Sequence, residues 1–265
     1  MLTTLGNTLY HVERVVRKNA EVPHTSNPNL VYLASFPKSG NTWLRFILSN
    51  TSMLLGSHDT EVDFHTLGRY TPEPRQNRTL NQSIITPHFP LFLKTHWPHV
   101  QAFSKWPRVL VTRHPADALH SFYIYLREER YKHLKASPSQ FLRYWRHGAS
   151  AWSNYHQTWL GNYDVIMKYE DLLKDPVLEV DKMLKQLNYD IPFNILEEAV
   201  QRSSKETMRR LRNDLGDPFA GNPNYQFVRK GIQGEGLKAF NQQDLIYIAQ
   251  ICEPVIARLS LGYEF

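Results

Sequence analysis

Four short apolar runs divide the chain, each closed by turn or charged residues: LVYLAS at 30–35, LFLKTH at 91–96, RVLVTR at 108–113 and YDVIMKY at 163–169. Runs of this length read as buried strands. Between them the apolar period changes. TWLRFILSNTSMLL, after the first run, sets Trp43, Phe46, Ile47 and Leu54 at helical spacings, and HPADALHSFYIYLREE, after the third, has Pro115 at a helix start and Asp117 in its first turn. EDLLKDPVLEVDKMLKQL, after the fourth, predicts a short turn and then a helix from near Pro176. Short buried strands alternating with helices predict an α/β fold: a single domain with a central parallel β-sheet flanked by helices. In such sheets ligands sit beyond the carboxyl ends of the strands. Lys38, Lys94 with His96, Arg113 and Tyr169 all fall at those ends.

Length and composition change this picture little. The 265 residues suit one domain over 1–265, with 1–29 as an N-terminal extension. Segments 56–87 and 212–228 are rich in Gly, Pro and Asn, while 122–150 is aromatic and basic (Phe122, Tyr123, Tyr125, Tyr131, Tyr144, Trp145). All three are expected at the rim of an acceptor site. Hydrophobic residues make up 42% and charged residues 21%, as in soluble globular proteins. The net charge of +6 allows an anionic ligand, or simply a basic surface. Cys252 is the only cysteine, which rules out an internal disulfide or a thiolate metal cluster and points to a reducing, cytoplasmic setting. No apolar stretch approaches the ~18–20 residues of a membrane span. The first 29 residues lack the apolar core of a secretion signal, and their Leu5, Leu9, Val12 and Val16 form a stripe expected to pack.

Residues 34–43, ASFPKSGNTW, put a lysine, a glycine and two hydroxyl residues between the first strand and its helix. Backbone N–H groups of residues 39–43 would face an anion there with the helix dipole behind them. Lys38 adds a movable positive charge and Thr42 a hydroxyl donor. The usual nucleotide loop, G-x-x-x-x-G-K-[ST], carries its lysine after the second glycine. Here Lys38 precedes Gly40, and no carboxylate is evidently placed to carry magnesium, which argues against an ordinary ATP or GTP hydrolase. By itself the loop also reads, with less weight, as a capped helix with a solvated lysine.

SFPKSGNTW resembles the 5′-phosphosulfate loop of the cytosolic-type sulfotransferases, Y-P-K-S/A-G-T/N-T-W, which use 3′-phosphoadenosine 5′-phosphosulfate (PAPS). Four further segments match in order, so the resemblance spans roughly residues 31–241. It implies that Lys38, Ser39, Gly40, Asn41, Thr42 and Trp43 hold the phosphosulfate end. LKTHWP (93–98) is similar to the family's K-T-H-x-P segment, implying His96 as general base and Lys94 beside the sulfuryl group. VTRHPADALHSFY (111–123) matches the 3′-phosphate segment, implying Arg113 and Ser121 as its donors. KYEDLLKDP (168–176) places Tyr169 near the adenine, and RKGIQGEGLKAF (229–240) places Arg229, Lys230 and Gly231 at the 3′-phosphate. His88 and His99 flank the His96 strand as background.

The chain also departs from the pattern. SSKETM keeps Ser203 as a cofactor contact but has Lys205 where the family stacks an aromatic on adenine. Glu235, Gly236 and Lys238 replace the common Asp-Trp-Lys, and KAFNQQDLIY does not reproduce the dimer segment of the animal enzymes. This divergence points to a distant, bacterial-type member. The implied reaction moves a sulfuryl group from PAPS to a hydroxyl or amine of a small-molecule acceptor, leaving adenosine 3′,5′-bisphosphate (PAP) and needing no metal. Neither a nucleic-acid nor a membrane partner is expected. The competing readings are an atypical nucleotide or small-molecule kinase and a nucleic-acid binder using FLRYWRH (141–147), whose Phe141, Tyr144 and Trp145 read more simply as core or pocket wall.

Overall fold

The apolar runs become strands because both of their faces are covered at once. The computed structural model describes residues 29–57, 61–73, 83–130, 135–218, 220–222, 225 and 231–265. Leu5, Leu9, Val12, Val16, Tyr131, Arg229 and Lys230 lie outside the described residues. The strands are β1 (Leu30–Ser35), β2 (Leu91–Thr95), β3 (Arg108–Thr112) and β4 (Val165–Lys168). The helices are α1 (Asn41–Leu55), the short α2 (Leu67–Tyr70), α3 (Pro115–Tyr125), α4 (Pro138–Arg143), α5 (Ala149–Trp159), α6 (Tyr169–Lys174), α7 (Pro176–Gln186), α8 (Phe193–Arg202), α9 (Lys205–Leu215), α10 (Glu235–Ala239) and α11 (Gln242–Arg258).

The four strands pair in the order β2-β1-β3-β4, all parallel. Alternate residues of β1 serve opposite cores, as the two-residue period of a strand requires. Leu30, Tyr32 and Ala34 join Leu93 and Leu110 beneath α3, α5 and α11, which contribute Leu119, Trp152, Trp159 and Ile248. Val31 and Leu33 join Phe92, Val109 and Met167 on the other face, under Leu44 and Ile47 of α1, Met183 of α7 and Leu196 of α8. A third cluster sets Phe46 and Met53 of α1 against Phe64, Tyr70 and Met208.

Helix α1 is therefore covered on more than the one stripe its sequence predicts. Its inward polar residues are satisfied locally: Thr51 Oγ1 donates to Ile47 O at 2.9 Å, and Asn50 Nδ2 to Phe46 O at 3.0 Å. No helix of the described residues is long and apolar enough to cross a membrane.

The register brings the strand ends level. Ala34 lies beside Thr95 and Leu110, Ser35 beside Val111, and Thr112 beside Lys168. The chain leaves β1 for β2 on one side and then returns to β3 on the other. The carboxyl ends of β1 and β3 thus flank the point where strand order reverses.

Two sequence expectations are corrected here. The fourth strand starts at Val165, because Asp164 closes its end by accepting from Arg108 N at 2.8 Å and from Arg108 Nε at 3.0 Å. Tyr169 opens a helix instead of closing the strand, and that helix, Tyr169–Lys174, takes the place of the expected turn. Glu170 and Asp171 sit at the favourable end of its dipole, and Asp175 then stops α6 and caps α7 by accepting from Leu178 N at 3.0 Å.

Trp159 is wholly buried, stacks on Phe103 with centroids 6.1 Å apart, and donates from Nε1 to Trp97 O at 3.2 Å. Trp159→Ala is expected to lower unfolding stability by about 3–5 kcal/mol, read by urea or thermal denaturation. A change within experimental error would mean that this face of the sheet is not the core.

Candidate functional site

Beyond β1 the chain must reverse quickly into α1, and two residues take left-handed backbone to do it: Lys38 (φ 66°) and Gly40 (φ 91°). Gly40 is required twice over, because a Cβ there would lie 2.3 Å from the Tyr169 ring. Helix α1 starts without a side-chain cap and without an acidic residue in its first turn. Its leading N–H groups and its dipole are therefore left for an anion.

Asn41 points back to the sheet, donating to Leu33 O at 3.3 Å and Ser35 Oγ at 3.0 Å, and so pins the loop. Ser39 is buried, and its hydroxyl meets no hydrogen-bond partner among the described residues. The Lys38 ammonium lies 4.8 Å from the Tyr125 ring centroid.

Arg113, just past β3, gathers three distant segments. Nη1 donates to Lys38 O at 3.1 Å, Nη2 to Ile232 O at 3.3 Å, and the guanidinium lies 4.5 Å from the Tyr169 ring centroid. Nε is buried and meets no hydrogen-bond partner among the described residues.

The segment carrying Ile232 is held from below by Asp117. This buried carboxylate accepts Gly234 N at 2.7 Å and Gly236 N at 2.6 Å. A Cβ on Gly236 would come 2.2 Å from Ala116 O, so α10 docks only with glycine there. Gly231 is thereby brought close enough that its Cβ position lies 3.7 Å from Tyr169 Oη and 3.9 Å from Lys205 Cδ.

His96 follows β2. Its Nδ1 lies 2.8 Å from Ser35 O. A carbonyl only accepts, so Nδ1 carries the hydrogen and Nε2 keeps the lone pair. Burial, reinforced by the Lys94 charge, lowers the imidazole to about 3.

Lys94 is tied to Glu73 Oε1 at 2.7 Å, and the same oxygen accepts from Arg45 Nη1 at 3.0 Å. Burial works to raise the Glu73 carboxyl, but Lys94 and Arg45 overcome it and hold the group at about 2. Arg45 is anchored through Nε to Thr71 Oγ1 at 3.1 Å, while Lys94 N donates to Pro72 O at 2.9 Å. The segment before Glu73 is thereby bolted to both α1 and β2.

One cavity of about 430 Å³ joins these groups. Lys38, Gly40, Asn41, Thr42, Trp43, Lys94, His96, Arg113, Ser121, Tyr169 and Gly231 all line it, as the sequence pattern anticipates. Lys205 and Met208 line it too. Ser39 lies behind the loop, and Ser203 is a correction. The Ser203 hydroxyl is wholly buried, donating to Ala199 O at 2.7 Å and accepting from Asn50 Nδ2 at 3.0 Å, while its carbonyl takes Trp43 Nε1. It fastens the end of α8 to α1, and it is Ser204 that caps α9.

Of the aromatic stretch at 141–147, Phe141 is core, whereas Tyr144 is exposed, and neither Tyr144 nor Trp145 reaches the cavity. Glu73, Arg130 and the Asp117 clamp escape sequence reasoning, since none sits in a motif and each acts across the fold.

The sulfotransferase domain family matches residues 28–260. The chain belongs to the sulfotransferase family. WSCD family member CG9164 of Drosophila melanogaster is 29% identical over 208 residues, covering 73% of this chain and 61% of that protein. The chain thus spans about three fifths of that relative's length. Flavonol 3-sulfotransferase of Flaveria bidentis is 28% identical over 279 residues, covering 92% of this chain and 87% of the plant protein. Retinol dehydratase, solved with androsterone and PAP, superposes with a TM-score of 0.66 at 16% identity, covering 88% of this chain and 82% of that one. The sulfotransferase fold, an α/β domain on a parallel sheet, is therefore shared. The cavity sits where that sheet's strand order reverses.

Burial makes a pH prediction for this chain. His156, sealed beside Trp152, is also lowered, to about 4. Both rings stay neutral between about pH 8 and about pH 5, where exposed histidines titrate. The unfolded chain binds these protons and the native chain does not. Native stability is therefore complete above the ordinary value of 6.5 and is lost as pH falls below it. NMR titration of the unliganded protein is expected to find His96 uncharged at the acid end of that range, and His96→Asn is expected to soften the acid loss of stability. A His96 resonance titrating near 6.5 would contradict this account.

Proposed function

We propose that the chain transfers the sulfuryl group of PAPS to a hydroxyl or amine of a small-molecule acceptor, releasing PAP. The observation that carries this reading is the meeting of Lys38, Arg113 and His96 in one cavity beside the uncapped start of α1. The residues present fit PAPS. The buried Arg113 Nε meets no partner among the described residues, and the Gly40 cradle leaves backbone N–H groups for an anion. PAPS, when bound, supplies an activated sulfuryl group.

The chain's own residues do the rest. His96 Nε2 takes the proton of the attacking acceptor, and its neutral state at physiological pH keeps the lone pair available. Its low basicity rises when an anion lies alongside, since nearby negative charge favours the imidazolium. Lys38 answers charge growing on the bridging oxygen, and the loop N–H groups and Lys94 hold sulfuryl oxygens. Glu73 keeps Lys94 in place for that task. Arg113 and Ser121, with Arg229, Lys230 and Gly231, take the 3′-phosphate, while Tyr169 and Trp43 stand at the adenine side.

The 56–87 and 122–150 rims give the acceptor wall through Glu73, Phe122, Tyr125 and Arg130. A flavonol in one relative's name and androsterone in the solved neighbour support a small-molecule acceptor. We read the compartment as cytoplasmic on the single, buried Cys252.

The test is an acceptor screen with labelled PAPS, with PAP binding as control. His96→Ala and Lys38→Ala are each expected to stay folded and to lose about 100-fold to 1,000-fold in turnover, by analogy with deletion of an oxyanion donor. Wild-type turnover in folded His96→Ala would remove the general base from this scheme. Phosphorylated product from ATP and magnesium, with none from PAPS, would favour the kinase reading instead.

A further inference from the structure

Helix α3 carries Ser121 to the cavity and is fastened at both ends. At the far end a π-helical turn, Leu126–Arg130, prolongs it, and Glu129 there accepts Gly221 N at 2.7 Å. The near end follows Arg113 and is held by groups outside the cavity. Strands β3 and β4 pair as far as Thr112 and Lys168. One residue further β4 gives way to α6, and a side chain continues the connection. Oε1 of Glu170 accepts His114 N at 2.9 Å.

The other oxygen of that buried carboxylate is also engaged. Tyr263 Oη donates to Glu170 Oε2 at 3.0 Å. Burial pushes the Tyr263 phenol well above its usual range, so it remains a donor at physiological pH. The same segment encloses His114. His114 Nε2 donates to Glu264 O at 2.8 Å, and its ring centroid lies 5.2 Å from that of Tyr263 and 5.0 Å from that of Phe265. Its Nδ1 accepts Ala116 N at 3.2 Å and so caps α3. Leu261 seats the start of the segment in the core that α11 shares with β1 and β3.

Glu170, His114 and Tyr263 are not among the residues lining the cavity, but two of them adjoin residues that are. Arg113 precedes His114, Tyr169 precedes Glu170, and the Arg113 guanidinium lies 4.5 Å from the Tyr169 ring centroid. One carboxylate therefore joins the chain just past the two positions whose side chains meet inside.

Resting on the sulfotransferase reading above, we infer that Glu170 and Tyr263 are positioning residues for the cofactor's 3′-phosphate. Glu170 sets the separation of the Arg113 and Tyr169 backbones, and Tyr263 sets which way the carboxylate faces. With Oε2 released the carboxylate is free to turn, and the Arg113 fork loses the preorganisation that a phosphate site needs.

Calorimetric titration with PAP and with adenosine 5′-monophosphate, which lacks the 3′-phosphate, tests this. Tyr263→Phe keeps a ring against His114 and removes only the hydroxyl. It is expected to weaken PAP by about three- to tenfold, the effect of one hydrogen bond, and the monophosphate by less than about twofold. Glu170→Gln is expected to act in the same direction, and the double variant to lose less than the two single losses combined. Ser139→Ala is the control for general loosening. It removes a bond of the same kind, to Asp244, between residues that do not line the cavity, and is expected to leave the preference for PAP as in the native protein. The inference is overturned if the native protein prefers PAP and Tyr263→Phe does not weaken PAP more than the monophosphate. It is overturned equally if Ser139→Ala narrows that preference as much. A native protein that binds PAP no more tightly than the monophosphate would instead remove the 3′-phosphate role of Arg113, and this inference with it.

Discussion

The buried Arg113 guanidinium makes its described hydrogen bonds to carbonyl oxygens. Among the described residues it meets two carbonyl oxygens and the face of Tyr169, not a carboxylate. Hydrogen bonds to a charged donor contribute about 1.5–3 kcal/mol each, enough to hold the group in place but not to neutralise it. Those partners belong to the β1–α1 loop, the start of α6 and the segment after Gly231, so one side chain sets the spacing of three walls. The positive potential it leaves is open to an anion, and the uncapped start of α1 adds to it from the neighbouring strand end.

The opposite wall solves a different electrostatic problem. Lys94 and Arg45 are sunk with one carboxylate between them, an arrangement whose desolvation cost exceeds what a surface pair would face. Burial, with the Lys94 and Arg45 charges added to it, keeps His96 neutral, and the Ser35 carbonyl fixes which of its nitrogens bears the hydrogen. Neutrality and tautomer are both needed by a proton acceptor. They come from different sources, one through burial and charge and one through geometry.

What could be read from the sequence follows from how local each signal is. The strands, the Lys38 loop, His96 and Arg113 are legible because period, turn residues and strand ends lie close together in the chain. Glu73 is not, since its meaning depends on Arg45 and Lys94, which are 28 and 21 residues away. Asp117 reads as an ordinary first-turn acid, and only packing joins it to Gly234 and Gly236. Ser203 and Ser204 are adjacent and chemically alike. Where α8 ends decides that the first faces the interior and the second caps a helix, and helix ends are poorly marked in this polar stretch. Tyr169 lines the cavity from a helix where the sequence reads a strand, because the change from strand to helix occurs within a single residue.

The π-helical turn after α3 has a bearing on how such a site diverges. A π turn, here Leu126–Arg130, holds one residue more than an α turn; from it Glu129 accepts Gly221 N and Arg130 donates to Tyr125 Oη. Deleting a single residue there would restore α phase and rotate each following side chain by about 100°. The anchor at Gly221 and the cation at the mouth would both be turned away from their present partners. The outer wall of the cavity is therefore sensitive to insertions and deletions as well as to substitutions, and one codon lost or gained can redraw it while the sheet and the β1–α1 loop stay unchanged.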